Sequence, residues 1–385
     1  MSISYNHKTK IKKELFMSKL NLLELCLSPA IGGLELYMVH AAKALNDDFN
    51  VLSVIAEGSQ LEQYFNDSQY KSQSIKHKGD SSFFSALKIA KIIDNNYIDI
   101  VHIHWTSDLP TLVMARMISK RTPKLVQSRH MNMTRFKNDP YHRFLYKKMD
   151  LILTVTSQLE EQVKKFIPED IRPKVETLYI GSEPVKLVED SAIKVYKKTL
   201  GIGDELLVGM VGRIEEAKGQ HLLIEAVESL KAQGKSIKVF FVGHVMNEEY
   251  LLLLKKMLKE KDLEKEVVFY GFTKEPLKFM QTCDMMVLAT GCETFGLVLI
   301  EAMQVGTPVV ATNQCGPLEI IENGKSGLLF EVGNAQSLSE KLGLLIEDKT
   351  LRESLALEAK KRASEKFSSQ KQFQKLGTIL KMAMN

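Results

Sequence analysis

Two glutamates with seven residues between them, Glu293 and Glu301, give the strongest chemical signal in the sequence. A predicted strand ends just before Glu293, and a predicted helix begins near Gly296. Because the first amides of a helix have no partner within it, those of Phe295, Gly296 and Leu297 can meet phosphate or sugar oxygens. Glu293 can then accept hydrogen bonds from sugar hydroxyls, and Glu301 can accept them from the two hydroxyls of a ribose. The structural alternative makes Glu301 a helix-surface acid and Glu293 a charge that complements the helix dipole.

Two cations on one loop form a second candidate, for anion binding. Arg213 and Lys218 lie five residues apart between Gly212 and Gly219, after another predicted strand and ahead of a predicted helix. Arginine offers a planar fork of donors and lysine a point charge, so the pair can hold a diphosphate. A lone cation on a loop is usually only solvated, but two on a glycine-bounded strand–loop–helix favour binding.

Adjacent glycines after the first predicted strand form a third candidate. In the segment Gly32-Gly33-Leu34-Glu35 the glycines permit a tight turn, and Gly33 lies where the amides of a helix start favour an anion. The segment is not the Gly-x-Gly-x-x-Gly fingerprint of dinucleotide-binding proteins. A simple turn between strand and helix explains it equally well.

Short β-rich apolar segments alternate with longer helical patterns along the whole chain, which predicts an α/β protein with parallel sheets. The alternation pauses at 181–203 and then resumes. We therefore predict two Rossmann-like, doubly wound domains at 17–183 and 184–366, followed by a helix at 367–385. Ligands bind such sheets beyond the carboxyl ends of the strands, so two facing domains would form a cleft there. The strands are predicted to begin at Leu20, Asn50, Ile98, Lys124 and Leu151, and to span 206–212, 238–243, 267–271, 285–290 and 308–312.

The composition, with 44% hydrophobic and 26% charged residues in a chain of 385, is typical of a globular enzyme. No apolar run reaches the roughly 20 residues that a membrane span requires. The basic, polar segment 1–16 lacks the apolar core of a signal peptide, so it is expected to be a flexible extension, or Met17 to be the true first residue.

Cysteine usage bears on the cellular compartment. The four cysteines form no Cys-x-x-Cys pair, and no histidine lies at zinc-finger spacing from them. We therefore expect no disulfide framework, and we expect the protein in the reducing cytoplasm. These cysteines are Cys26, Cys283, Cys292 and Cys315.

Basic residues concentrate in one stretch of the first predicted domain. The chain to Glu183 carries 25 Lys and Arg against 20 acids, which accounts for the whole net charge of +5. Such an excess attracts the phosphates of an anionic acceptor or of a membrane surface, and a solvated helical face is the alternative. The candidate patch consists of Arg116, Lys120, Arg121, Lys124, Arg135, Lys137, Arg143, Lys147 and Lys148.

In their order along the chain, these motifs resemble those of retaining glycosyltransferases with the GT-B fold, specifically family four, the group-one glycosyltransferases. The resemblance extends from about Leu20 to Met384. Each motif alone is modest, but the ordered set is highly specific. The matching segments are GGLE, GRIEEAKG, FVGH, ETFGLVLIE, GTPVVAT, CGPLEII and NGKSGLLF.

The resemblance implies a role for each charged candidate. Arg213 and Lys218 match the pair that binds the donor diphosphate and stabilises it as it leaves. Glu293 matches the acid that contacts hydroxyls of the donor sugar. Glu301 matches the acid that binds the nucleotide ribose.

The resemblance extends to backbone groups and to one histidine. The amides at 295–297 match donors to sugar and phosphate, and Gly33 matches the glycine loop that meets the phosphate from the N-terminal domain. His130, after a predicted strand, resembles the histidine that reaches the donor sugar near its 6-position. His102 and His104 also lie near a strand end, so the assignment among the three histidines stays open.

These roles imply a metal-independent hexosyltransferase without a cofactor, with a UDP- or GDP-sugar as substrate. Arg213, Lys218 and helix amides would neutralise the departing nucleoside diphosphate, and no Asp-x-Asp motif lies where it could hold a divalent metal. A front-face mechanism is expected, in which the leaving phosphate takes the acceptor proton and the anomeric configuration is kept.

The acceptor expected from the basic stretch is an anionic glycan, a glycolipid or a soluble phosphorylated molecule. Lipopolysaccharide, capsule or other polysaccharide assembly would fit, with the protein cytoplasmic or peripheral at the inner face of the membrane. Two alternatives remain: a nucleotide-sugar 2-epimerase of the same fold, and a non-catalytic nucleotide-sugar-binding module. Nucleic-acid binding is not expected, because the basic residues have no interleaved aromatic platform.

Overall fold

The computed structural model describes residues 19–65, 69–77, 79 and 81–384. The expected N-terminal extension at 1–16, and with it the choice between Met1 and Met17, lies outside these residues. The described chain forms two compact units. The first contains the chain up to Tyr179 and again from Gln372 onward, and the second is Ile180–Lys371.

Seven parallel strands form the sheet of the first unit, in the order β3-β2-β1-β4-β5-β6-β7. Leu22, Leu23 and Leu25 of the central strand β1 are fully buried, as expected for a parallel strand covered on both faces. The strands are β1 (Asn21–Cys26), β2 (Asn50–Ala56), β3 (Ser72–Ile75), β4 (Ile100–Ile103), β5 (Lys124–Arg129), β6 (Leu151–Thr154) and β7 (Lys174–Thr177). The helices up to β7 are α1 (Gly33–Leu45), α2 (Phe83–Asn95), α3 (Leu109–Ile118), α4 (Pro140–Tyr146) and α5 (Ser157–Phe166).

The second unit has a six-stranded parallel sheet in the order β10-β9-β8-β11-β12-β13. Leu207 and Val208 of its central strand β8 are fully buried. The strands are β8 (Leu206–Val211), β9 (Ile237–Val242), β10 (Val267–Gly271), β11 (Met285–Leu288), β12 (Val309–Thr312) and β13 (Leu328–Phe330). The helices are α6 (Asp190–Thr199), α7 (Gln220–Ala232), α8 (Glu248–Glu260), α9 (Pro276–Thr282), α10 (Leu297–Gln304), α11 (Pro317–Ile320), α12 (Ala335–Glu347) and α13 (Lys349–Lys366).

The last helix, α14 (Ser369–Met382), contributes to the first unit from Gln372 onward. The ring of Phe373 packs against Tyr37 of α1, with 5.5 Å between the ring centroids. Lys381 Nζ lies 2.6 Å from Asp48 Oδ1. The two ends of the described chain therefore share one folded unit.

The predicted α/β class and the long strands are confirmed, whereas three short strands were missed. The segments β3, β7 and β13 have only three or four residues each and lie at sheet edges. The sequence of β3 is Ser-Gln-Ser-Ile, and its first three residues are exposed. Such a segment pairs through its backbone and carries no apolar signal of its own.

Each sheet has one position at which the direction of strand addition reverses: between β1 and β4 in the first, and between β8 and β11 in the second. Ligands bind open α/β sheets beyond the carboxyl ends of the strands at such positions. The loop with Arg213 and Lys218 follows β8, and the loop with Glu293 follows β11. Strand order therefore brings the two charged motifs of the second unit to the same place.

Candidate active site

Lys218 and Glu293 meet beyond the carboxyl ends of β8 and β11. Lys218 Nζ donates to Glu293 Oε2 at 2.8 Å, and each side chain is only about a fifth to a quarter exposed, at 19% and 24%. Both line a cavity of about 260 Å³ that Arg213, Gly296 and Leu297 also line. Five of the predicted donor-binding residues thus face one cavity in the second unit.

The backbone around Lys218 explains its position. A short 3₁₀ turn, Glu216–Lys218, ends at Gly219, which has φ +76°. A Cβ atom at this glycine would lie 2.4 Å from the carbonyl oxygen of Ala289, just beyond β11. Only glycine combines that left-handed conformation with so close an approach. The loop is also closed by Gln220, whose Nε2 donates to the carbonyl oxygen of Arg213 at 2.8 Å.

Arg213 is more exposed than Lys218 and is held more loosely. Its side chain is 58% exposed, and its Nη2 lies 2.9 Å from Glu215 Oε1. Exposed ion pairs of this kind contribute only about 0–1 kcal/mol. The guanidinium of Arg213 can therefore exchange Glu215 for an anionic ligand at little cost.

Helix α10 presents its N-terminus at the cavity. Gly296, with φ +103°, precedes the helix, and Gly296 and Leu297 line the cavity. The side chain of Phe295 is buried instead, edge-on to Phe367 with 6.0 Å between ring centroids. Phe295 therefore anchors the loop, while the helix start supplies partial positive charge beside Lys218.

Glu301, in the second turn of α10, is a mostly buried carboxyl group without a partner. Within the described part of the chain, no hydrogen bond or ion pair engages it, and burial raises the pKa of Glu301 to about 7. It does not line the cavity formed by Arg213 and Lys218. A buried carboxyl group without a partner is costly for the fold alone, and such groups cluster at functional sites.

The predicted site residues of the first unit lie at the carboxyl edge of its sheet. Gly33 begins α1 after β1, is exposed, and has no atom within 4 Å of the place a Cβ would occupy. His130 follows β5, and its ring lies edge-on to Tyr37, with 4.9 Å between the ring centroids. The Nε2 atom of His130 is buried and has no hydrogen-bond partner among the described residues.

A buried cluster beneath His130 escaped sequence analysis. Glu24 on β1 lies 3.1 Å from His102 Nδ1 and 2.6 Å from His104 Nε2, and His102 Nε2 lies 2.8 Å from Ser128 Oγ. Glu24 and the two histidines are essentially inaccessible. A lone acid in the apolar strand sequence Leu-Leu-Glu-Leu-Cys was the available signal, since a buried carboxylate requires partners.

The cluster keeps Glu24 ionised and distinguishes the environments of the three histidines. Burial alone would raise the pKa of Glu24, but the charges and hydrogen bonds of His102 and His104 outweigh it and lower that pKa to about 2. Burial lowers the pKa of His104 to about 4, and burial together with His104 lowers that of His130. His102 and His104 are buried and bonded to Glu24, whereas His130 is the partly exposed member of the three.

The same cluster has the composition of a metal site. Ligand atoms of Glu24, His102 and His104 all lie within 4.8 Å of one another. Each of the Glu24 oxygens, however, already binds one of the histidine nitrogens. The geometry is that of an internal hydrogen-bonded cluster around one buried carboxylate, which lies beneath His130.

The basic stretch of the first unit does not form one uniform surface. Arg129, within the stretch, is buried, while Lys120, Arg135, Lys147 and Lys148 are exposed. The remaining members are partly buried. Four of these are paired with acids: Arg116 and Lys124 with Asp150 at 3.2 and 3.5 Å, Arg121 with Asp99 at 3.1 Å, and Arg143 with Asp170.

The exposed lysines concentrate where the strands begin. Lys120 precedes β5, and Lys147 and Lys148 precede β6, so they lie at the amino edge of the sheet. Gly33 and His130 lie at the opposite, carboxyl edge. The exposed lysines are thus separated from the site residues by the length of the strands, whereas exposed Arg135 follows β5 on the same edge as His130.

The expectation that the cysteines form no disulfide is wrong. Cys292 and Cys315 are joined by a disulfide, with 5.5 Å between their Cα atoms. Cys26 and Cys283 are free and buried. The spacing of 23 residues carries no motif, and the pair meets only because β11 and β12 are neighbours in the sheet.

The fold and the site define the class of protein: two Rossmann-like units with parallel sheets form a GT-B glycosyltransferase. Residues 193–362 match the model of the glycosyl transferases group 1 family, and residues 24–157 match that of glycosyl transferase 4-like proteins. With a relative 32% identical over 73% of the chain, these matches show that the chain belongs to the group 1 glycosyltransferases.

The curated relatives include two bacterial transferases. The chain is 32% identical over 295 residues to an N-acetylgalactosamine-N,N'-diacetylbacillosaminyl-diphospho-undecaprenol 4-alpha-N-acetylgalactosaminyltransferase of Campylobacter jejuni, covering 73% of this chain and 76% of the relative. It is 27% identical over 355 residues to the capsular polysaccharide biosynthesis glycosyltransferase CapM of Staphylococcus aureus, covering 84% and 87%.

Solved structures support the fold. Anabaena HepE, determined in complex with UDP and glucose, has a TM-score of 0.78 at 22% identity, covering 94% of this chain and 99% of the other. A glycosyltransferase from Rickettsia africae has a TM-score of 0.85 at 19% identity, covering 96% and 99%.

Proposed function

We propose that the protein is a retaining, metal-independent glycosyltransferase that moves a hexose-type sugar from a nucleotide-sugar to a glycan or glycolipid acceptor. The observation that carries the proposal is the cavity at the start of α10, where Arg213 and Lys218 face Glu293. Two cations, a carboxylate and a helix N-terminus together suit a ligand that combines a diphosphate with a hydroxyl-rich sugar.

Charge stabilisation is the main catalytic contribution that these residues can make. As the bond from the sugar to the diphosphate breaks, negative charge grows on the leaving oxygens. Arg213 and Lys218 can neutralise it together with the amides of α10, and groups already in place need little reorganisation. Neither a metal ion nor a further cofactor is required for this step.

The pairing of Lys218 with Glu293 defines how the donor would bind. A donor diphosphate would draw Lys218 toward itself, and the released carboxylate of Glu293 would accept hydrogen bonds from sugar hydroxyls. Glu293 is then a sugar-binding group and not the nucleophile of a glycosidase-type double displacement. We propose that the acceptor attacks on the face that the diphosphate leaves, and that a diphosphate oxygen takes its proton.

The carboxyl group of Glu301, which has no partner among the described residues, supports the proposal that the donor carries a nucleoside beyond its diphosphate. Vicinal ribose hydroxyls would donate hydrogen bonds to it and offset the cost of its burial. Because the Anabaena neighbour was determined with UDP and glucose, a UDP-sugar is the first donor to test, with GDP-sugars second.

Relatives support an acceptor in surface-glycan assembly. The Campylobacter relative is named for a sugar linked through diphosphate to undecaprenol, and the Staphylococcus relative is named for capsular polysaccharide. We propose a glycan or glycolipid acceptor in polysaccharide or lipopolysaccharide synthesis, used at the cytoplasmic face of the cell membrane.

A peripheral membrane contact would fit one edge of the first unit. Met117 and Ile118 at the end of α3 are 60% and 40% exposed, and neighbouring Arg116 donates to the carbonyl oxygen of Lys148. Exposed apolar side chains beside Lys147 and Lys148 suit an anionic lipid surface. In the described part of the chain, no helix is both long and apolar enough to cross a bilayer.

Thermal-shift measurements with UDP-, GDP-, ADP- and CMP-sugars in the presence of EDTA test the donor proposal. We expect a shift of several degrees with one nucleotide family, since a bound ligand stabilises the folded state. Nuclear magnetic resonance of the transferred sugar then reports the anomeric configuration. Absence of any shift in a folded sample, or epimerisation of the donor without an acceptor, would contradict the proposal.

A further inference from the structure

The disulfide between Cys292 and Cys315 links two loops of the candidate donor site. Cys292 lies in the loop after β11, directly before Glu293, and Cys315 lies in the loop after β12, directly before Gly316. The cross-link therefore joins the segment that carries the sugar-binding carboxylate to a loop that takes no direct part in the cavity.

The second loop supports the first from behind. Gly316 donates its amide hydrogen to the carbonyl oxygen of Glu293 at 2.8 Å, and Thr312 Oγ1 donates to the carbonyl oxygen of Thr290 at 3.0 Å. A Cβ atom on Gly316 would lie 2.2 Å from the carbonyl oxygen of Phe295. The backbone on both sides of Glu293 thus rests on the end of β12 and the loop after it, and Gly316 packs against Phe295 with no space for a side chain.

Cys315 occupies a conformation that few residues other than glycine adopt, with φ +60°. Such a conformation is strained for a residue with a side chain and persists only where surrounding contacts maintain it. The cross-link to Cys292 is one such contact. Loss of the cross-link frees Cys315 to relax, and its neighbour Gly316 is the residue that holds Glu293.

We propose that Cys292 and Cys315 form a redox-sensitive clamp that holds Glu293 and the start of α10 in the donor-binding geometry, and that a dithiol reductant opens it. This inference rests on the proposed donor site. One thiolate of the dithiol attacks the Cys292 sulfur, which breaks the bond to Cys315 and forms a mixed disulfide. The second thiolate of the dithiol then releases Cys292. Two electrons and two protons pass to the cysteines, and the reductant leaves as a disulfide.

Exposure favours this pair over the other cysteines. Cys292 is exposed and Cys315 is buried, so a reductant meets the disulfide from the Cys292 side. Cys26 and Cys283 are buried, and burial raises the pKa of both thiols, which keeps them unreactive. In a reducing compartment disulfides are usually transient and regulatory, so the clamp would report the redox state around the enzyme.

Thiol counting on the folded protein tests the cross-link itself. Purified protein is treated with iodoacetamide before and after reduction with dithiothreitol, and the labelled peptides are identified by mass spectrometry. We expect no label at Cys292 or Cys315 before reduction and label at Cys292 after it, while Cys26 and Cys283 stay unlabelled. Label at Cys292 in air-oxidised protein would overturn the proposal.

Calorimetric titration with UDP-glucose then compares the oxidised and reduced proteins. We expect about tenfold weaker binding after reduction, because the loop must be ordered when the donor binds. Cys292→Ser should bind like the reduced protein in either buffer. Cys315→Gly, which removes the cross-link but suits the left-handed backbone, should lie between the two. Equal affinities of the oxidised and reduced proteins would overturn the clamp.

Hydrogen exchange of the unliganded protein separates this inference from the donor proposal. Amides at 293–301 should exchange faster after reduction, whichever ligand the site takes. Faster exchange after reduction, without binding of any nucleotide-sugar, would support the clamp proposal and contradict the donor assignment. Unchanged exchange in this segment would contradict the clamp, even if UDP-glucose binds.

Discussion

Lys218 Nζ and Glu293 Oε2 lie 2.8 Å apart, although the two residues are 75 positions apart in the chain. Because both side chains are largely screened from water, each charge is stabilised by the opposite charge of the other. Both therefore keep an ordered side chain before any donor is present. A donor with a diphosphate and sugar hydroxyls offers both groups a replacement partner, so binding need not leave a charge unpaired.

Replacement of either cation should remove most of the activity. We expect Arg213→Ala and Lys218→Ala to lower kcat/KM by about 100-fold or more, because each change removes a side chain that stabilises negative charge on the leaving diphosphate. Release of the nucleoside diphosphate gives the rate, and circular dichroism checks the fold. Lys256→Ala on α8, where the side chain is 71% exposed, is the matched control and should be unaffected. Rates of the two site variants close to wild type would rule out the assigned role.

Glu301 should make donor binding depend on pH. Burial raises its pKa from 4.5 to about 7, so the carboxylate that can accept ribose hydrogen bonds forms only as the pH rises through 7. We expect the affinity for UDP-glucose to increase from pH 6 to pH 8 and Glu301→Gln to lack this increase. UDP-glucose is preferred to UDP, whose terminal phosphate itself titrates near pH 6.

The same carboxyl group should make the folded protein less stable as the pH rises, whereas it makes donor binding tighter. Because the folded protein binds the Glu301 proton more tightly than the unfolded chain does, stability should fall as the pH rises from about 4.5 to 7. Glu301→Gln should flatten that part of the profile in urea titrations. Identical pH profiles of wild type and variant would show that the carboxyl group is not buried as described.

Gly316 should tolerate no side chain, for steric reasons alone. Its φ of −53° suits any residue, but a Cβ would lie 2.2 Å from the carbonyl oxygen of Phe295. We expect Gly316→Ala to destabilise the protein by about 1–3 kcal/mol and to raise KM for the donor. Gly291→Ala in the neighbouring loop meets nothing within 4 Å and is the control. Equal behaviour of the two variants would mean that the β12 loop does not support Glu293.

The Glu24 cluster should control stability in acid. Because the pKa of Glu24 is lowered from 4.5 to about 2, its contribution to stability is complete above about pH 4.5 and is lost as the pH falls toward 2. Glu24→Gln should cost about 3 kcal/mol at neutral pH, since the amide cannot replace both carboxylate oxygens that hydrogen-bond buried His102 and His104. Glu161→Gln, at a side chain 73% exposed, should be neutral in the same denaturation experiment. A stable Glu24→Gln protein would contradict the charge assignment.

Anionic vesicles should recruit the amino edge of the first unit, if that edge contacts membranes. We expect the double change Lys147→Glu and Lys148→Glu to abolish co-sedimentation with phosphatidylglycerol vesicles at low salt. The double change Lys255→Glu and Lys256→Glu on α8 alters the charge equally and should leave sedimentation unchanged. Loss of binding in both variants would indicate a response to net charge and no specific face.

The sequence alone determined the class of fold and pointed to most residues of the candidate site. Alternating apolar and helical patterns predict parallel sheets, and charged motifs directly after strands predict ligand groups at carboxyl edges. Arg213, Lys218 and Glu293, which the structure brings to one cavity, were therefore predicted as candidates without knowledge of strand order. Local periodicity and turn residues are properties of short segments, so they can be read from one sequence without knowing which segments meet.

The tertiary structure alone decided which of these segments meet. The contact of Lys218 with Glu293 depends on β8 lying beside β11, and the Cys292–Cys315 disulfide depends on β11 lying beside β12. The burial of Glu24 under the histidines likewise requires β1 to lie beside β4. Which strands become neighbours depends on packing over the whole sheet, and the spacing of residues along the chain does not predict it.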